Sequence, residues 1–445
     1  MSMLSATISR RAADRLRSGH LWVYRSDIER LPPETPGALV TLLDPREKPL
    51  GTALYSTASE IALRLISPEP STTRAQYLAD LRTRIESALH LRANALAPEA
   101  FAEDAATDAC RLLFSEADNL PGIVADRYAS LIILQLLTQG TAQDDVRRIL
   151  VEVLSAHPWV HTIVERPDPR ILQLEQLPPA SPAPLFTRNS LSSTSEHLSL
   201  GAPHLEEMWE RNPDLTITFS LNGLRFHYNA NAGQKTGAFL DQRLNYLAAA
   251  HLAERSAIAH GRAGACGRGL DICTYQGGFA LHLARACTHV TGVDASRAAL
   301  EVADRNAALN PEIASKVDWI EADAFELLRD FSDRAAADPA ARYDTIVLDP
   351  PAFAKSKRAA AGALRGYKEL NLRALKMLTP GGALITCSCS HHVSLADFTE
   401  IVRSAAADTG RRVQLLETRG AAPDHPAILT LPETSYLKCL LLRVE

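Results

Sequence analysis

Apolar runs alternate with segments of helical period along the C-terminal half of the chain, from about residue 215 to the end. Seven runs have the length and composition of β-strands, and they read GLDIC, VTGVD, VDWIE, YDTIVLD, GALITC, VQLLET and SYLKCLLLRV. Helical segments separate the first five runs. This alternation predicts a parallel sheet with helices on both faces, and therefore an α/β fold.

Two further regions precede the α/β region and differ from it in pattern. Up to about residue 73, short alternating segments broken by Pro and Gly predict small β-strands. In the second region, RAQYLADLRTRIESALHLRANAL predicts a helix, NLPGIVADRYASLIILQLL predicts two strands joined by a turn, and ASPAPLFTRNSLSSTSEHLSLGAP predicts an irregular surface loop. We therefore predict domains at 1–73, 74–213 and 214–445, the second of them with an α+β fold.

The composition is that of an ordinary globular protein. The 445 residues are 46% hydrophobic and 22% charged, with a formal net charge of −5, which argues against a uniformly basic nucleic-acid binder. Seven scattered cysteines, an odd number, do not resemble a disulfide framework. The N-terminus lacks the pattern of a signal peptide, and no apolar run is long enough to cross a membrane, so we expect a cytoplasmic protein without membrane contact.

Acidic residues follow the first three predicted strands of the α/β region, where the carboxyl ends of parallel strands form a ligand-binding edge. Asp271 precedes the glycine pair Gly277 and Gly278, Asp294 ends the second strand, and Asp323 follows the third. The first of these loops lacks the G-x-G-x-x-G fingerprint of dinucleotide-binding proteins. Acidic strand ends suit a cationic nucleoside such as S-adenosylmethionine better than the pyrophosphate of NAD. The alternative is that these aspartates only cap helices.

The ends of the fourth and fifth strands carry candidate catalytic groups. In LDPPAF a rigid Pro-Pro pair places Asp349 at the strand tip, and the fifth strand ends at Cys387. Carbon 5 of cytosine is a poor nucleophile until a thiolate adds to carbon 6, so this pair suits cytosine-5 methylation. Cys387 could instead be buried and inert. A zinc site of Cys387, Cys389, His391 and His392 would be badly crowded, so we predict no metal.

These residues make the chain resemble the RlmI-type large-subunit rRNA cytosine-5 methyltransferases, which are class I enzymes dependent on S-adenosylmethionine. The resemblance covers nearly the whole chain and rests on GHLWVYRSDIE, FSEADNLPGIVADRY, NAGQKTGAFLDQR, LDPPAFAKSK, ITCSCS and DHPAILTLPETSYLKCLLLRV. It implies an N-terminal PUA β-barrel that binds RNA, a central α+β domain, and a Rossmann-like methyltransferase domain. The sheet of that last domain would have seven strands, most of them parallel.

The resemblance also implies roles for individual residues. The cofactor site would contain Gln234, Lys235, Thr236, Asp241, Asp271, Tyr275, Gly277, Asp294, Asp323 and Asp349. Of these, Asp271, Tyr275 and Gly277 would line the methionine end. Asp294 would contact the ribose and Asp323 the adenine. Cys387 would be the nucleophile with Asp349 assisting it, and Cys389 would take that role if the strand register differed. Ala352 stands where many RNA 5-methylcytosine enzymes carry another cysteine.

A local group of arginines could supply affinity for RNA phosphates in spite of the acidic total. Its members are Arg10, Arg11, Arg15, Arg17 and Arg25, and the alternative is that they form a solvated helix face. The expected partner is 23S rRNA or a ribosomal assembly intermediate, and a homodimer is left open. Two other functions also stay open. One is methylation of a guanine or adenine nitrogen through the DPPAF motif, and the other is non-catalytic RNA binding in ribosome assembly.

Overall fold

The computed structural model describes residues 4–30, 35–101, 106–181, 183–188, 216–230, 238–259, 266–353 and 360–445. These residues form two compact units. The first consists of the described parts of Met1–Ser220, Tyr228–Ala238 and Pro423–Thr434, and the second of those of Leu221–His227, Phe239–Ala422 and Ser435–Glu445. The first unit thus contains both of the first two predicted domains together with a segment from near the C-terminus. The boundaries at 73 and 213 stay predictions.

The first part of the first unit is a six-stranded sheet with one helix. Its elements are β1 Ser5–Ile8, α1 Arg10–Arg17, β2 Trp22–Tyr24, β3 Ile28–Arg30, β4 Leu39–Leu43, β5 Pro49–Tyr55 and β6 Ile61–Ser67. The strands lie in the order β2-β6-β5-β4-β1-β3. Buried positions alternate along β4, as expected for a strand with one face on a core. That core includes Ala6, Val40 and Leu63. The small strands predicted from the alternating pattern are therefore confirmed.

The second part of the first unit combines helices with a five-stranded sheet. Its elements are α2 Arg74–Leu91, β7 Ala109–Phe114, β8 Ile123–Tyr128, β9 Leu131–Leu136, α3 Asp144–Ser155, β10 Thr162–Glu165, α4 Pro169–Glu175 and β11 Phe186–Thr187. The strand order is β11-β10-β9-β8-β7. Thr73 and Gln76 form a capping box that starts α2. The predicted helix and the predicted strand pair β8–β9 are confirmed. The predicted irregular loop contains β11, whereas its residues 182 and 189–203 lie outside the described residues.

Arg92 fixes the C-terminal segment of this unit in place. The side chain is 0% exposed, and its guanidinium donates to Asp118 Oδ1 at 2.6 Å and to the Asp424 carbonyl oxygen at 3.1 Å. The Asp424 carboxylate in turn accepts from the Arg111 backbone N–H at 2.9 Å. A buried charge is tolerated only when it is paired and hydrogen-bonded. The segment that carries Asp424 is therefore a structural part of the first unit.

The second unit contains an α/β sheet, and a two-stranded sheet of β12 Thr216–Leu221 and β13 Leu224–Asn229 precedes it in the chain. The remaining elements are α5 Arg243–Ala259, β14 Cys266–Ile272, α6 Gly278–Ala286, β15 Cys287–Asp294, α7 Arg297–Ala308, α8 Pro311–Ala314, β16 Val317–Glu321, α9 Ala324–Ala337, β17 Tyr343–Leu348, α10 Ala360–Met377, β18 Leu378–Ser388, α11 Leu395–Thr409, β19 Val413–Arg419 and β20 Lys438–Val444. All seven predicted strands are present, so the predicted α/β fold is confirmed.

The seven strands of this sheet lie in the order β16-β15-β14-β17-β18-β20-β19. Strands β14 to β18 pair in parallel, and β20 pairs antiparallel with both β18 and β19. Central strands covered on both faces need continuous apolar runs, and β17 is buried at five of its six positions. The carboxyl ends of the five parallel strands therefore share one edge of the sheet. No helix in the described ranges is long and apolar enough to span a membrane.

Candidate active site

The loop between β14 and α6 has the tight backbone expected where a chain approaches a ligand. Cys273, Tyr275 and Gly277 have φ values of 64°, 53° and 87°, a left-handed conformation that is costly for the two residues with side chains. A Cβ added to Gly278, the first residue of α6, would lie 2.7 Å from the Tyr246 ring. The absence of a side chain at Gly278 therefore lets the start of α6 pack directly against the Tyr246 ring of α5.

Asp271, at the end of β14, is a buried carboxyl with one unused oxygen. Its Oδ2 accepts from Thr274 Oγ1 at 2.6 Å and from the Ala280 N–H at 2.9 Å. Its Oδ1 has no hydrogen-bond partner among the described residues. Burial raises the pKa of this carboxyl to about 7. An unsatisfied buried carboxyl is costly, and an ammonium group beside it would offset that cost.

Asp294 is the last residue of β15, and Asp323 follows β16. Asp294 accepts the Tyr275 N–H on Oδ2 and the Ser296 N–H on Oδ1, each at 2.9 Å. Asp323 is exposed and is the N-cap of α9, with Oδ1 accepting from the N–H groups of the first turn. The capping role predicted as the alternative is therefore present at Asp323. Only one oxygen of Asp323 is used in the cap, so the other can accept from a ligand.

Four strand-end carboxylates share one neighbourhood. Burial raises the pKa of the Cys273 thiol, and the charges on Asp294, Asp349, Asp271 and Asp323 raise it further. The acidic residues at or just after the ends of four different strands therefore converge at the edge of the sheet, as the sequence predicts. Such a cluster of carboxylates favours cations. The donor set fits S-adenosylmethionine, which carries an ammonium and a sulfonium group, and it would repel a pyrophosphate.

Asp349 is held by side-chain amides that the sequence analysis did not single out. Gln242 Nε2 donates to Asp349 Oδ2 at 3.0 Å, and Asn245 Nδ2 donates to Gln242 Oε1 at 2.7 Å. Gln242 is 2% exposed and Asn245 1%. The only sequence signal is two amides three residues apart at the start of α5, one of them inside NAGQKTGAFLDQR.

Asp241, predicted to border the cofactor site, is hydrogen-bonded to two residues from the C-terminal part of the chain. Its Oδ2 accepts from the Tyr436 hydroxyl at 2.6 Å, and its carbonyl oxygen accepts from the Ala422 N–H at 2.8 Å. These bonds tie the segment before α5 to the segments that flank β19 and β20. Gln234, Lys235 and Thr236, the other predicted residues of this motif, lie outside the described residues.

The two candidate cysteines lie in different environments. Cys387 is 0% exposed and lies opposite Cys439 in the β18–β20 register. Burial, followed by the neighbouring Cys439, raises the pKa of the Cys387 thiol well above its usual value. Cys389 follows the last residue of β18 and is partly exposed, and its Sγ is 3.9 Å from the Pro350 carbonyl oxygen. The thiol beside the DPP elbow with access to solvent is therefore Cys389, and Cys387 is part of the core.

The five N-terminal arginines lie in the first unit and differ in their contacts. Arg11 and Arg15 each donate to Asp27 at 2.7 Å, and Arg17 donates to Asp44 at 2.5 Å. Arg25 donates to the carbonyl oxygens of residues 56 and 59. The side chains of Arg10 and Arg11 remain 88% and 72% exposed. Arg15, Arg17 and Arg25 thus take part in the packing of this region. No cluster of metal-binding side chains occurs within the described ranges.

Comparisons with known proteins agree with this architecture. Residues 6–68 match a family model described as a PUA-like domain, and residues 181–443 match one described as an S-adenosylmethionine-dependent methyltransferase. A solved structure of a Streptococcus mutans protein has the same fold, with a TM-score of 0.74 at 18% identity over 99% of this chain and 100% of that one. The predicted PUA-like and methyltransferase domains and the dependence on S-adenosylmethionine are therefore confirmed.

Curated relatives extend over almost the full length. A ribosomal RNA large subunit methyltransferase of Deinococcus radiodurans is 34% identical over 99% of this chain and 98% of that protein. A ribosomal RNA large subunit methyltransferase I of Escherichia coli is 32% identical over 96% of this chain and 95% of that protein. The chain therefore belongs to the family of S-adenosylmethionine-dependent methyltransferases that includes these ribosomal RNA large subunit methyltransferases.

Proposed function

We propose that this protein methylates carbon 5 of a cytosine in the RNA of the large ribosomal subunit, 23S rRNA, and that Cys389 is the nucleophile. The names of the relatives support a ribosomal RNA substrate, and the PUA-like domain supports RNA binding. The observation that carries the cytosine-5 reaction is the position of Cys389. Its partly exposed sulfur lies 3.9 Å from the carbonyl oxygen of Pro350, the residue that follows Asp349 in the chain.

Cys389 suits this role better than Cys387, the residue that the sequence favoured. A nucleophilic cysteine reacts as the thiolate and must reach its substrate. Cys387 has no exposed surface, and its raised pKa keeps it protonated. Cys389 lies just past the end of β18, where the chain leaves the sheet at the edge that carries the acidic residues. The difference of two residues therefore moves the thiol from the core to a partly exposed position just past the end of β18.

Residues of this chain account for the steps on the base. The Cys389 thiol loses its proton to solvent, and the thiolate adds to carbon 6 of a cytosine that has left its stack. Asp349, oriented by Gln242, acts in its protonated form: it donates its proton to ring N3 as the thiolate adds, and it takes that proton back when the thiolate leaves. S-Adenosylmethionine supplies the electrophilic methyl group when bound. Water or a neighbouring carboxylate then takes the carbon 5 proton, because Ala352 offers no second thiol, and the bond from sulfur to carbon 6 breaks.

The acidic strand ends supply the cofactor contacts in this proposal. Asp271 Oδ1 would accept from the ammonium group of the methionine moiety, beside the loop of Tyr275 and Gly277. Asp294 would hold the ribose and Asp323 the adenine. The unused Asp271 oxygen and the convergence of the carboxylates around Cys273 support this arrangement.

Tritium release tests the reaction and the nucleophile together. The substrate is large-subunit RNA whose cytosines carry tritium at carbon 5, offered both as naked RNA and as immature ribosomal particles. We expect the full-length protein to release tritium in step with methyl transfer. Cys389→Ser should lower the rate by more than about 1,000-fold, because it removes the nucleophile. Cys387→Ser is the matched control and should stay within a few-fold of the wild type.

The other outcomes separate the competing functions. Methyl transfer without tritium release would refute the carbon 5 reaction and support methylation of a base nitrogen, in which both serine variants would remain active. Failure to bind S-adenosylmethionine would support a non-catalytic role in ribosome assembly. A loss of activity in Cys387→Ser but not in Cys389→Ser would contradict the assignment of the nucleophile alone.

A further inference from the structure

Cys389 lies in a short segment that is held from one side by Tyr367 of α10. The Tyr367 hydroxyl is 3.0 Å from Ser390 Oγ and accepts from Ser388 Oγ at 3.0 Å. Tyr367 is 1% exposed, and both serines are fully buried. The residues on either side of Cys389 are thus anchored in the core, while Cys389 itself is partly exposed.

Lys438, the first residue of β20, holds the same segment from the other side. Its Nζ donates to the Ser390 carbonyl oxygen at 2.7 Å and to the Tyr436 carbonyl oxygen at 2.8 Å. In the β18–β20 register Lys438 lies opposite Ser388. The ammonium group is therefore bonded to the residue next to Cys389.

Lys438 is an unusual cation for a buried position. It is 7% exposed, and no Asp or Glu of the described residues forms an ion pair with it. Buried ammonium groups are normally paired with a carboxylate, because removing an unpaired charge from water is costly. Two carbonyl oxygens compensate for only part of this cost. A lysine kept in this environment is explained if a negative charge appears beside it during the reaction.

The group that would supply this negative charge is Cys389. Burial lowers the pKa of Lys438 to about 8, and the charge on Cys389 acts in the opposite direction. Such an interaction is mutual, so a charged Lys438 favours the thiolate of Cys389. Other titratable groups near this segment include Tyr367, whose pKa is raised by burial and also by the charge on Cys389, and Asp349, which precedes Pro350. The exposed His391 follows the segment, and its ring lies 5.5 Å from that of Tyr436. Tyr367 and Asp349 would disfavour a thiolate if they were ionised. Lys438 differs from His391 in being buried and bonded to Ser390, the residue next to Cys389.

We propose that Lys438 is a positioning residue that fixes the segment carrying Cys389 and stabilises its thiolate through the charge of the ammonium group. The inference rests on the proposed function in taking Cys389 as the nucleophile. Lys438 acts in its protonated form, which predominates below about pH 8, and it does not transfer its proton to the substrate. The proton of the thiol passes to solvent before addition, and the same charge stabilises the thiolate again when it leaves carbon 6.

The test is the pH dependence of Cys389 alkylation by iodoacetamide in the full-length protein without RNA, read by mass spectrometry of the peptide that contains Cys389. In the wild type we expect half-maximal alkylation below about pH 8.5, the value of an ordinary cysteine. Lys438→Met, a substitution of similar length, should raise this midpoint by about one pH unit or more. Lys438→Arg keeps the positive charge, so its midpoint should stay close to that of the wild type. Tyr367→Phe removes the hydroxyl contacts but no charge and should leave the midpoint near that of the wild type.

A wild-type midpoint at or above about pH 8.5 would overturn the proposal without any variant. So would an unchanged midpoint in a folded Lys438→Met protein, or an equal shift in Tyr367→Phe, which would indicate a purely structural role. The assay needs no RNA and no turnover. If Lys438→Met leaves the alkylation midpoint unchanged while the wild type releases tritium, the role of Lys438 is refuted and the cytosine-5 reaction stands. If Lys438→Met raises the midpoint but the wild type releases no tritium, the cytosine-5 reaction is refuted and the effect of Lys438 on the thiol stands.

Discussion

The side-chain amide of Gln242 donates a hydrogen bond of 3.0 Å to Asp349 Oδ2. Asn245 donates to the amide oxygen of Gln242 and so fixes which way that amide faces. Asp349 thus has a defined orientation at the tip of its strand before any substrate arrives. A preorganised carboxylate of this kind avoids the cost of reorganisation during the reaction.

Replacing Gln242 by leucine should lower kcat by about 10- to 100-fold, because Asp349 would lose its orientation. The affinity for S-adenosylmethionine should change little, since the hydrogen bond from Gln242 goes to Asp349 and not to Asp271, the residue assigned to the ammonium group. Steady-state kinetics and isothermal titration calorimetry separate the two quantities. Asn245→Ala should reproduce a weaker version of the defect. A wild-type kcat in Gln242→Leu would show that this hydrogen bond has no catalytic role.

The affinity for S-adenosylmethionine should rise with pH. Asp271 has a pKa raised to about 7 by burial, so it is largely protonated at pH 6 and ionised at pH 8. An ammonium group binds the ionised form better, and the dissociation constant should fall by up to about tenfold over this range. Calorimetry at several pH values measures it. Asp271→Asn should bind weakly and without this pH dependence, and an equally steep dependence in that variant would contradict the assignment.

The same group should influence stability with the opposite sign. The pKa of Asp271 is raised from 3.8 to about 7 in the folded protein, so the folded protein binds a proton that the unfolded chain releases. The free energy of unfolding of the ligand-free protein should therefore fall as pH rises through this interval. Asp271→Asn should lose part of that fall in thermal denaturation experiments. The variant would then be weaker in cofactor binding and yet relatively more stable at pH 8.

Gly278→Ala should destabilise the methyltransferase region by about 1–3 kcal/mol, because the new Cβ would lie 2.7 Å from the buried Tyr246 ring. Gly362→Ala is the matched control. It lies in α10, where the nearest atom to a new Cβ is 3.9 Å away, so it should stabilise the helix by up to about 1 kcal/mol. Thermal denaturation measures both changes. If the two substitutions change the stability equally, the Tyr246 ring must move away from the new Cβ at position 278 without a loss of stability.

The N-terminal arginines should separate into RNA-binding and structural members. Arg10 is 88% exposed, and its replacement by alanine should weaken RNA binding and reduce the slope of log affinity against log salt by about 0.7 to 0.9. Arg25 is bonded to two backbone carbonyl groups. Arg25→Ala should lower the melting temperature and leave that slope unchanged. Filter binding at several salt concentrations tests this, and an unchanged slope in Arg10→Ala would favour the solvated-face interpretation.

The sequence predicts the sheet and its acidic edge well, because both depend on local patterns. A continuous apolar run such as that of β17 predicts a buried strand, and the residue after it must lie at the strand end. The choice between Cys387 and Cys389 is different in kind. It depends on where β18 ends and on its pairing with Cys439, a residue about 50 positions away. The contacts of Gln242 with Asp349 and of Lys438 with Ser390 are likewise made across long stretches of chain, which no local pattern encodes.

The position of Asp424 has a consequence for anyone who wishes to study the enzyme in pieces. Residues 423–434 pack with the first unit, although they come between two strands of the second unit's sheet in the chain. A fragment cut at residue 213 would retain Asp424 and lose Arg92 and Arg111, its partners. The methyltransferase region produced alone would therefore contain residues 423–434 without the part of the first unit against which they pack. A shortened version needs that loop redesigned, and a single cut in the gene cannot provide it.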